Sequence, residues 1–477
     1  MKIAMIASES RPFCKTGGLA DVVYSLSKEL VNMGQDVSII IPFYDTVKAK
    51  LKVEVKKVTS LDINLSWRHH IANVYTCLQD GVKYYFIEDQ FYFERGHLYG
   101  DEDDGERFAL FTLACKELLK NKELLPDIIH VHDWQPGMLA CLLKNDVEDK
   151  KIFKNTKFVM TIHNPAFQGM LDPSALGNLY NLSDSLYSDG MVRLKDRVST
   201  LKSGIAYSDY ITTVSPTHHL ELLTSEGGMG LDTTLRMREF DFSGILNGID
   251  YLEFNPEDDK NIEKSFNVNN FIGGKKENKK ALLKEFNLKK YNAPTFAMVS
   301  RLTWQKGIDL VISACYLLVE KGANVVILGS GEKEAEKRFE ELRSRFPNQV
   351  GIYIGYSDPL AHKIYAGSDF FLMPSLFEPC GLGQMIAERY GTLPIVRRTG
   401  GLKDSVICYE GNNVDTANGF GFDTFAEQAM RDTVSYALET YQDSKIIKQL
   451  MKNAINTDNS WTKSATSYLK MYQKIYR

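Results

Sequence analysis

Two cationic side chains in the second half of the chain, Arg301 and Lys306, are spaced to bind an anion. They lie in the run S-R-L-T-W-Q-K-G, which separates an apolar stretch of strand length, 295–300, from a stretch with helical spacing, 307–318. Such a turn lies at the carboxyl edge of a sheet, where open α/β folds bind ligands, beside helical N–H groups that favour negative charge. The two cations therefore predict a diphosphate site, with solvated loop charges as the alternative.

A second chemically capable run, 375–383 (S-L-F-E-P-C-G-L-G), follows an apolar strand predicted at 369–374 and precedes a helix. This position brings Glu378 to the same sheet edge as the two cations. A carboxylate accepts several hydroxyl hydrogen bonds, which suits a sugar, and the amides of Gly381 to Gly383 begin a helix that favours phosphate. The alternative is that Glu378 caps the helix.

In the first half, His163 ends a strand predicted at 157–163, and a single polar histidine facing a sugar is the favoured interpretation. His130 and His132 could place two imidazoles on one strand face, as a zinc site requires, but no acidic or cysteine partner has suitable spacing. The sequence therefore predicts no metal here. Asp133, directly after His132, is the nearby candidate for a nucleophilic carboxylate.

An acidic run at 101–104 contains an Asp-x-Asp pattern that could hold a divalent cation. It opens a helical pattern over 106–119, where acidic residues in the first turn stabilise the helix dipole, so helix capping is the favoured interpretation. The aromatic loop before it, Phe91 to Tyr99, could stack on a sugar, although aromatic richness more often indicates packing.

The two halves share a pattern of cation-Thr-Gly-Gly-Leu, at 15–19 and at 398–402, each where a helix could begin. Paired glycines let backbone amides approach a phosphate or a sugar oxygen closely. An ordinary turn is the equal alternative.

These candidates need sheets to position them, and the apolar runs predict two parallel ones. Strands are predicted at 2–8, 37–41, 127–131, 157–163 and 209–214, and again at 295–300, 324–328, 351–355, 369–374 and 393–396, with helices between them. The polar segment 246–280 lacks periodicity and is predicted to connect the halves. The fold expected is α/β, with two Rossmann-like doubly wound domains, 1–244 and 245–457, facing a cleft, and residues 458–477 returning to the first as an amphipathic helix.

Bulk composition agrees with a packed protein of more than one domain, since 477 residues are too many for one core. Lys plus Arg (57) nearly balances Asp plus Glu (61), which argues against a nucleic-acid or anionic-membrane partner. The seven cysteines are scattered without CxxC pairs and indicate reduced thiols in a cytosolic protein. With no signal-like start and no long apolar run, a cytoplasmic, soluble protein is expected.

Eight motifs, in order along nearly the whole chain, resemble those of bacterial glycogen synthases and plant starch synthases, the glucan synthases of the retaining GT-B class. They are K-T-G-G-L-A-D-V (15–22), H-D-W-Q (132–135), T-I-H-N (161–164), V-S-P-T (214–217), L-N-G-I-D (246–250), S-R-L-T-W-Q-K-G (300–307), E-P-C-G-L (378–382) and R-R-T-G-G-L (397–402). The resemblance implies transfer of glucose from ADP-glucose to the non-reducing 4-hydroxyl of an α-1,4-glucan, with release of ADP and no cofactor.

The resemblance also implies a role for each matching residue. Arg301 and Lys306 would neutralise the diphosphate as the glycosidic bond breaks and charge develops on the leaving oxygen. Glu378 would hold the glucose hydroxyls, and His163 would lie near the 6-hydroxyl. Residues of the opposite domain would complete the pocket on closure. Further substrate-binding residues implied are Lys15, Gly17, Gly18, Asp21, Tyr92, Asp133, Asn164, Asn247, Tyr356, Cys380, Gly381, Leu382 and Gly383.

Two departures and two alternatives stay open. Ile386 stands where related retaining transferases carry a second glutamate, as is common in glucan synthases, and Gly383 stands where many members have threonine. A GT-B transferase using a UDP-sugar, or a non-catalytic glucan-binding relative, would share most of these motifs. Retention could use a covalent intermediate or a front-face departure, and the front-face route is favoured because no carboxylate besides Asp133 has a claim to be the nucleophile.

Overall fold

The computed structural model describes residues 1–49 and 51–476, which form two compact units. Unit 1 comprises Met1–Ile245 and the residues from Trp461 onward, and unit 2 comprises Leu246–Ser460. The boundaries predicted from the sequence, after residues 244 and 457, lie next to these positions.

Unit 1 is built on a large, mostly parallel sheet. Within the described ranges its strands are β1 (Lys2–Ile6), β2 (Asp36–Pro42), β3 (Lys56–Leu65), β4 (Arg68–Gln79), β5 (Val82–Glu88), β6 (Ile128–His132), β7 (Lys157–Ile162), β8 (Met170–Leu171), β9 (Arg193–Leu194), β10 (Arg197–Ser199), β11 (Tyr210–Thr213) and β12 (Phe242–Gly244). The large sheet has the order β12-β11-β7-β6-β1-β2-β5-β4-β3, while β8, β10 and β9 form a small sheet of their own. β1 is buried apart from Lys2, and β6 is buried throughout, as is typical of the central strands of a parallel sheet.

The helices of unit 1 connect these strands. They are α1 (Gly18–Asn32), α2 (Asp45–Lys48), α3 (Gln90–Phe93), α4 (Asp104–Leu119), α5 (Leu139–Asn145), α6 (Val147–Ile152), α7 (Ala175–Tyr180), α8 (Ser185–Ser188), α9 (Thr200–Tyr207), α10 (Pro216–Leu222) and α11 (Asp232–Arg236). A short 3-10 turn precedes β12 at Glu239–Asp241.

Unit 2 has a parallel sheet with the order β15-β14-β13-β16-β17-β18, formed in the described chain by β13 (Thr295–Val299), β14 (Asn324–Gly329), β15 (Val350–Ile354), β16 (Phe370–Met373), β17 (Leu393–Arg397) and β18 (Phe420–Phe422). Its helices are α12 (Phe271–Glu285), α13 (Ile308–Glu320), α14 (Lys333–Arg345), α15 (Asp358–Gly367), α16 (Gly383–Arg389), α17 (Gly400–Ser405), α18 (Glu427–Tyr441) and α19 (Ser444–Asn456), with a 3-10 turn at Trp304–Lys306. The predicted α/β class with two parallel sheets is confirmed.

The last helix, α20 (Trp461–Tyr476), belongs to unit 1, as the sequence predicted. It buries Trp461, Ala465 and Tyr472, while Thr462 donates a 3.0 Å hydrogen bond to Glu29 on α1. None of the helices in the described part of the chain is long and apolar enough to span a bilayer.

Several elements were not predicted, among them an antiparallel hairpin and one helix. β3 and β4 form an antiparallel hairpin at the sheet edge, where many side chains are exposed and no continuous apolar run marks the strands. α12 begins inside the segment assigned to an aperiodic connection, because it buries polar side chains. Lys275 is enclosed and donates to the Tyr390 carbonyl at 3.0 Å and to the Thr392 hydroxyl at 2.7 Å, so hydrophobic spacing could not reveal this helix.

Candidate active site

In each unit the candidate residues follow strands at the point where the chain order of the sheet reverses. In unit 2, β13 lies between β14 and β16, and the loops after β13 and β16 carry the 301–306 and 375–378 segments. In unit 1, β1 lies between β2 and β6, and the loops after β1 and β6 carry residues 7–17 and Asp133. Such switch points are where open α/β sheets bind ligands.

Glu378 and Lys306 form a close ion pair in unit 2. The Lys306 ammonium lies 2.5 Å from Oε2 of Glu378, and the Ser375 hydroxyl donates to the same oxygen at 2.9 Å. Both partners are largely buried, with side-chain exposures of 15% and 10%. Oε1 of Glu378 has no protein partner within the described residues, so this oxygen can accept a ligand hydroxyl.

Arg301 supplies an uncompensated positive charge beside this pair. Its side chain is exposed, and no carboxylate of the described chain lies within ion-pair distance of it. Lys306 is paired with Glu378, whereas Arg301 has no carboxylate partner among the described residues. The two cations therefore differ in environment, although the sequence motif predicted the same role for both.

The loop at 380–383 is held by Gln384, a buried side chain on α16. Its Nε2 donates to the Cys380 carbonyl at 3.2 Å, to the Gly381 carbonyl at 3.0 Å and to the Ser405 hydroxyl at 3.0 Å. Burial raises the pKa of the Cys380 thiol to about 12, against hydrogen bonds from Asn247 that lower it. Cys380 therefore stays a neutral thiol at physiological pH and contributes backbone rather than sulfur chemistry.

The two glycine pairs differ in how closely the surrounding chain packs against them. A Cβ on Gly400 would lie 2.0 Å from the Glu378 carbonyl, and one on Gly401 would lie 2.1 Å from the Cys380 carbonyl, so this pair is required by packing. A Cβ on Gly17 would meet nothing nearer than 3.9 Å, and one on Gly18 would meet nothing within 4 Å. The chain's own packing therefore does not require the first pair.

Glu9, a buried carboxylate that no sequence motif singled out, fixes the loop before α1. Its Oε2 accepts from the Thr16 amide at 2.6 Å and from the Thr16 hydroxyl at 2.8 Å. Burial raises the pKa of Glu9. The Lys15 ammonium lies 2.8 Å from Asp21, so both predicted residues are present at the start of α1 and pair with each other.

Asp133 and His163 are joined at the ends of β6 and β7. Asp133 has a left-handed backbone (φ 58°), and its Oδ1 accepts from the His163 amide at 2.7 Å and from the Asn164 amide at 3.4 Å. Burial is the main cause that raises the pKa of Asp133 to about 7. The carboxyl group is therefore only partly ionised near neutral pH. It is a poor candidate for a nucleophile, because a nucleophilic carboxylate must be ionised.

The three histidines predicted not to form a zinc site lie together, and both nitrogens of His130 are engaged with hydroxyl groups. His130 contacts the Tyr472 hydroxyl through Nδ1 and the Thr161 hydroxyl through Nε2, each at 2.6 Å. No group of three or more His, Cys, Asp or Glu side chains in the described ranges is arranged to hold a metal ion.

The acidic run 101–104 pairs with arginines. Acidic residues do occupy the first turn of α4, but the side-chain cap that helix capping predicts is absent. Asp103 precedes α4 but makes no side-chain cap, because both of its oxygens bond to Arg95. Asp104 and Asp101 pair with the buried Arg107.

Tyr92 is contradicted as a stacking residue. Its ring is fully buried, and its hydroxyl donates to Glu106, so no face is open to a ligand. Tyr99, from the same aromatic loop, is half-buried and lies with its hydroxyl 2.7 Å from the Ser8 hydroxyl, at the carboxyl end of β1. Nearby Glu9 and Asp133 add to the burial that raises the pKa of Tyr99. Periodicity could not distinguish the two tyrosines.

The remaining predicted residues lie in unit 2. Asn247 is buried, and its Oδ1 has no hydrogen-bond partner among the residues described. Tyr356 follows β15, is 80% exposed and donates to Asp358 at 2.9 Å, so its ring is open to stacking.

Comparisons with known proteins agree with this arrangement. Residues 2–237 match the model of the starch synthase catalytic domain, and residues 279–457 match that of the glycosyl transferases group 1. A glycogen synthase of Clostridium beijerinckii is 43% identical over 100% of this chain and 99% of its own length.

Two solved structures are similar to the chain. The catalytic domain of starch synthase IV from Arabidopsis thaliana, bound to ADP and acarbose, is 36% identical, with a TM-score of 0.91 over 99% of both chains. A sucrose-phosphate synthase of Thermosynechococcus elongatus covers 100% of this chain and 99% of its own with a TM-score of 0.60, and at 15% identity it shows the fold alone. The sheet order, the paired site residues and the full-length identity lead to one conclusion: the chain belongs to the glycogen and starch synthase family of GT-B glycosyltransferases.

Proposed function

We propose that this protein is a glycogen synthase that transfers glucose from ADP-glucose to the non-reducing 4-hydroxyl of an α-1,4-glucan, with retention of configuration and release of ADP. The observation that carries the proposal is the grouping of Glu378, Lys306 and Arg301 at the switch point of unit 2. It offers a free carboxylate oxygen to sugar hydroxyls and cationic charge to a diphosphate. ADP is favoured over UDP because the starch synthase similar to this chain was solved with ADP bound.

Unit 1 contributes a second set of ligand groups to this proposal. Lys15 and the amides of Gly17 and Gly18 stand at the start of α1, where the helix dipole and free N–H groups attract phosphate. Binding an anion there requires Lys15 to share or leave its contact with Asp21. His163 and Tyr99 supply polar contacts at the strand ends of the same unit, while Asn247 and Tyr356 are assigned to the donor in unit 2.

The proposal includes no metal and no cofactor. The positive charge that a diphosphate leaving group needs is supplied by Arg301 and Lys306 of unit 2. Three carboxylates of the acidic run, those of Asp101, Asp103 and Asp104, pair with arginines. No nucleic-acid or membrane partner is proposed. A reducing, cytoplasmic location is proposed because none of the seven cysteines forms a disulfide, and six of them are buried.

The chemistry is assigned to the front-face route. The acceptor hydroxyl forms its bond to the anomeric carbon on the face from which ADP departs, and its proton passes to the departing phosphate oxygen. Asp133 is not assigned as a nucleophile, because its pKa is about 7 and its Oδ1 already accepts two amide hydrogen bonds. Trapping a glucosyl ester on Asp133 by mass spectrometry would contradict this route.

The decisive experiment supplies glycogen with either ADP-glucose or UDP-glucose and measures the nucleotide released. ADP release with a kcat/KM well above that for UDP-glucose is expected, and the glucan product should carry new α-linked glucose by NMR. Faster release of UDP would show instead that the protein is a transferase that uses a UDP-sugar. Glycogen binding without release of either nucleotide would mean a non-catalytic relative.

A further inference from the structure

His132, which the proposed function leaves without a role, contacts His163 directly. Its Nδ1 lies 3.0 Å from Nε2 of His163. The His132 ring is completely buried, and its other nitrogen, Nε2, has no hydrogen-bond partner within the described ranges. His163 is only partly buried, and its own Nδ1 is neither enclosed nor bonded to a described residue, so this edge of the ring is the one open to a ligand.

A hydrogen bond between the two rings requires a proton on either Nδ1 of His132 or Nε2 of His163. The burial of His132 determines which of the two rings is the donor. If His163 donated, the proton of neutral His132 would have to sit on Nε2, where a buried N–H without a partner costs roughly 1 to 3 kcal/mol. If His132 donates from Nδ1, its Nε2 is a bare acceptor, which is less costly to leave unpaired. Burial lowers the pKa of His163 to about 3 and that of His132 well below its ordinary value, so neither ring is charged at neutral pH.

The direction of this bond fixes the tautomer of His163. A neutral histidine carries one ring proton, and a nitrogen that accepts a hydrogen bond cannot hold it. With Nε2 of His163 accepting from His132, the proton of His163 must lie on Nδ1, the edge open to ligand. We propose that His132 is a positioning residue that holds His163 as the Nδ1–H tautomer and thereby makes it a hydrogen-bond donor to a sugar hydroxyl oxygen. This inference rests on the proposed function for its ligand but not for its tautomer.

His132 is itself held in place by a neighbour. Its ring stacks on that of His130, with centroids 4.2 Å apart, and both nitrogens of His130 are bonded, to Thr161 and to Tyr472 of α20. The His132 ring therefore cannot rotate to exchange its nitrogens without displacing a fully bonded partner. A fixed ring is what a positioning role requires.

The tautomer can be read without any substrate. In the ligand-free protein, ¹⁵N-detected histidine NMR should show His163 protonated on Nδ1, whereas free neutral histidine in water favours Nε2. His132→Leu, which removes the donor, should shift His163 toward Nε2–H. His132→Asn, whose amide can occupy the place of Nδ1, should keep the Nδ1–H form. A wild-type His163 protonated on Nε2 would overturn the proposal whatever the enzyme's substrate.

The kinetic counterpart compares the same two variants. His132→Leu should lose about tenfold in kcat/KM for the sugar nucleotide, the worth of one hydrogen bond of about 1.4 kcal/mol, while its affinity for free ADP is unchanged. His132→Asn should recover most of that loss even if it is less stable than the wild type. Equal kcat/KM in the wild type and His132→Leu, or an asparagine variant no better than leucine, would contradict the role. Absence of turnover with every sugar nucleotide would refute the proposed function instead and leave the NMR result to decide.

Discussion

Lys306 and Ser375 approach the same oxygen of Glu378, at 2.5 Å and 2.9 Å, and leave the other oxygen free. This division separates two functions of one carboxylate, because Oε2 fixes the orientation of the group and Oε1 keeps its capacity to accept a hydrogen bond. It also holds the Lys306 ammonium in place before any anion arrives. Preorganised charge of this kind stabilises a transition state without reorganisation at the moment of reaction.

Lys306→Ala should therefore lower kcat rather than only raise KM. A loss of roughly 3 to 4 kcal/mol, or about 10² to 10³ in rate, is expected for one preorganised charge. Initial rates of ADP release over a range of ADP-glucose concentrations measure it. Lys363→Ala, which removes an exposed ion pair with Glu285 in the same unit, is the control and should leave the kinetics unchanged. A change confined to KM would mean that Lys306 contributes to ground-state binding alone.

The glycine pairs predict opposite effects of the same substitution. Gly401→Ala places a methyl group 2.1 Å from the Cys380 carbonyl and should destabilise the protein by about 1 to 3 kcal/mol. Gly18→Ala meets no atom within 4 Å and should leave the melting temperature unchanged while lowering kcat/KM. Differential scanning calorimetry and steady-state kinetics on both variants separate the effects. Full activity in Gly18→Ala would remove the first pair from the ligand site.

The buried Asp133 predicts a pH-dependent cost to stability. Its pKa is about 7 in the folded chain against an ordinary 3.8, so the folded state binds more protons between about pH 4 and pH 7. The free energy of unfolding therefore falls as pH rises through this window. Asp133→Asn, which cannot ionise, should be more stable than the wild type at pH 8, by at most about 4 kcal/mol, and close to it near pH 4.

Urea denaturation of both proteins at the two pH values tests this expectation. The matched control is Asp415→Asn at an exposed position, whose stability relative to the wild type should not change between pH 4 and pH 8. An Asp133→Asn variant that gains nothing at pH 8 would show that the carboxyl is ionised at little cost in the fold.

Tyr92 and Tyr99 give a further paired prediction. Tyr99→Phe should lower kcat/KM about fivefold with little change in melting temperature, because its hydroxyl belongs to the polar strand end of unit 1. Tyr92→Phe loses the hydrogen bond to Glu106 inside the core and should cost about 1 kcal/mol of stability. Steady-state kinetics and thermal melts on both variants test these two roles. A loss of kcat/KM in Tyr92→Phe at unchanged stability would place Tyr92 rather than Tyr99 in the ligand site.

The elements that could be predicted from the sequence are those marked by buried apolar runs. The central strands of both sheets are such runs, and Arg301, Glu378 and His163 were found because each follows one of them. β3 and β4 were missed because a hairpin at a sheet edge keeps half of its side chains in water. α12 was missed because the interior positions it fills, such as Lys275, are polar.

Local pattern also could not separate residues whose difference lies in their tertiary surroundings. The cation-Thr-Gly-Gly-Leu runs are nearly identical in sequence, yet Gly400 and Gly401 press on the backbone of the 378–380 loop while Gly17 and Gly18 have open space. The bond between His132 and His163 joins different strands and depends on the register of β6 against β7. Only the paired sheet brings such residues into contact.

The return of α20 to unit 1 has a consequence for biosynthesis. Unit 2 is continuous from Leu246 to Ser460, whereas unit 1 lacks Trp461 and Tyr472 until the ribosome has read through all of unit 2. Domains commonly fold as they emerge, so unit 2 can complete its fold before unit 1, in which Nδ1 of His130 still lacks its contact with Tyr472 and part of the apolar surface is uncovered. Nascent chains stalled before codon 461 should therefore be the stage most in need of chaperones.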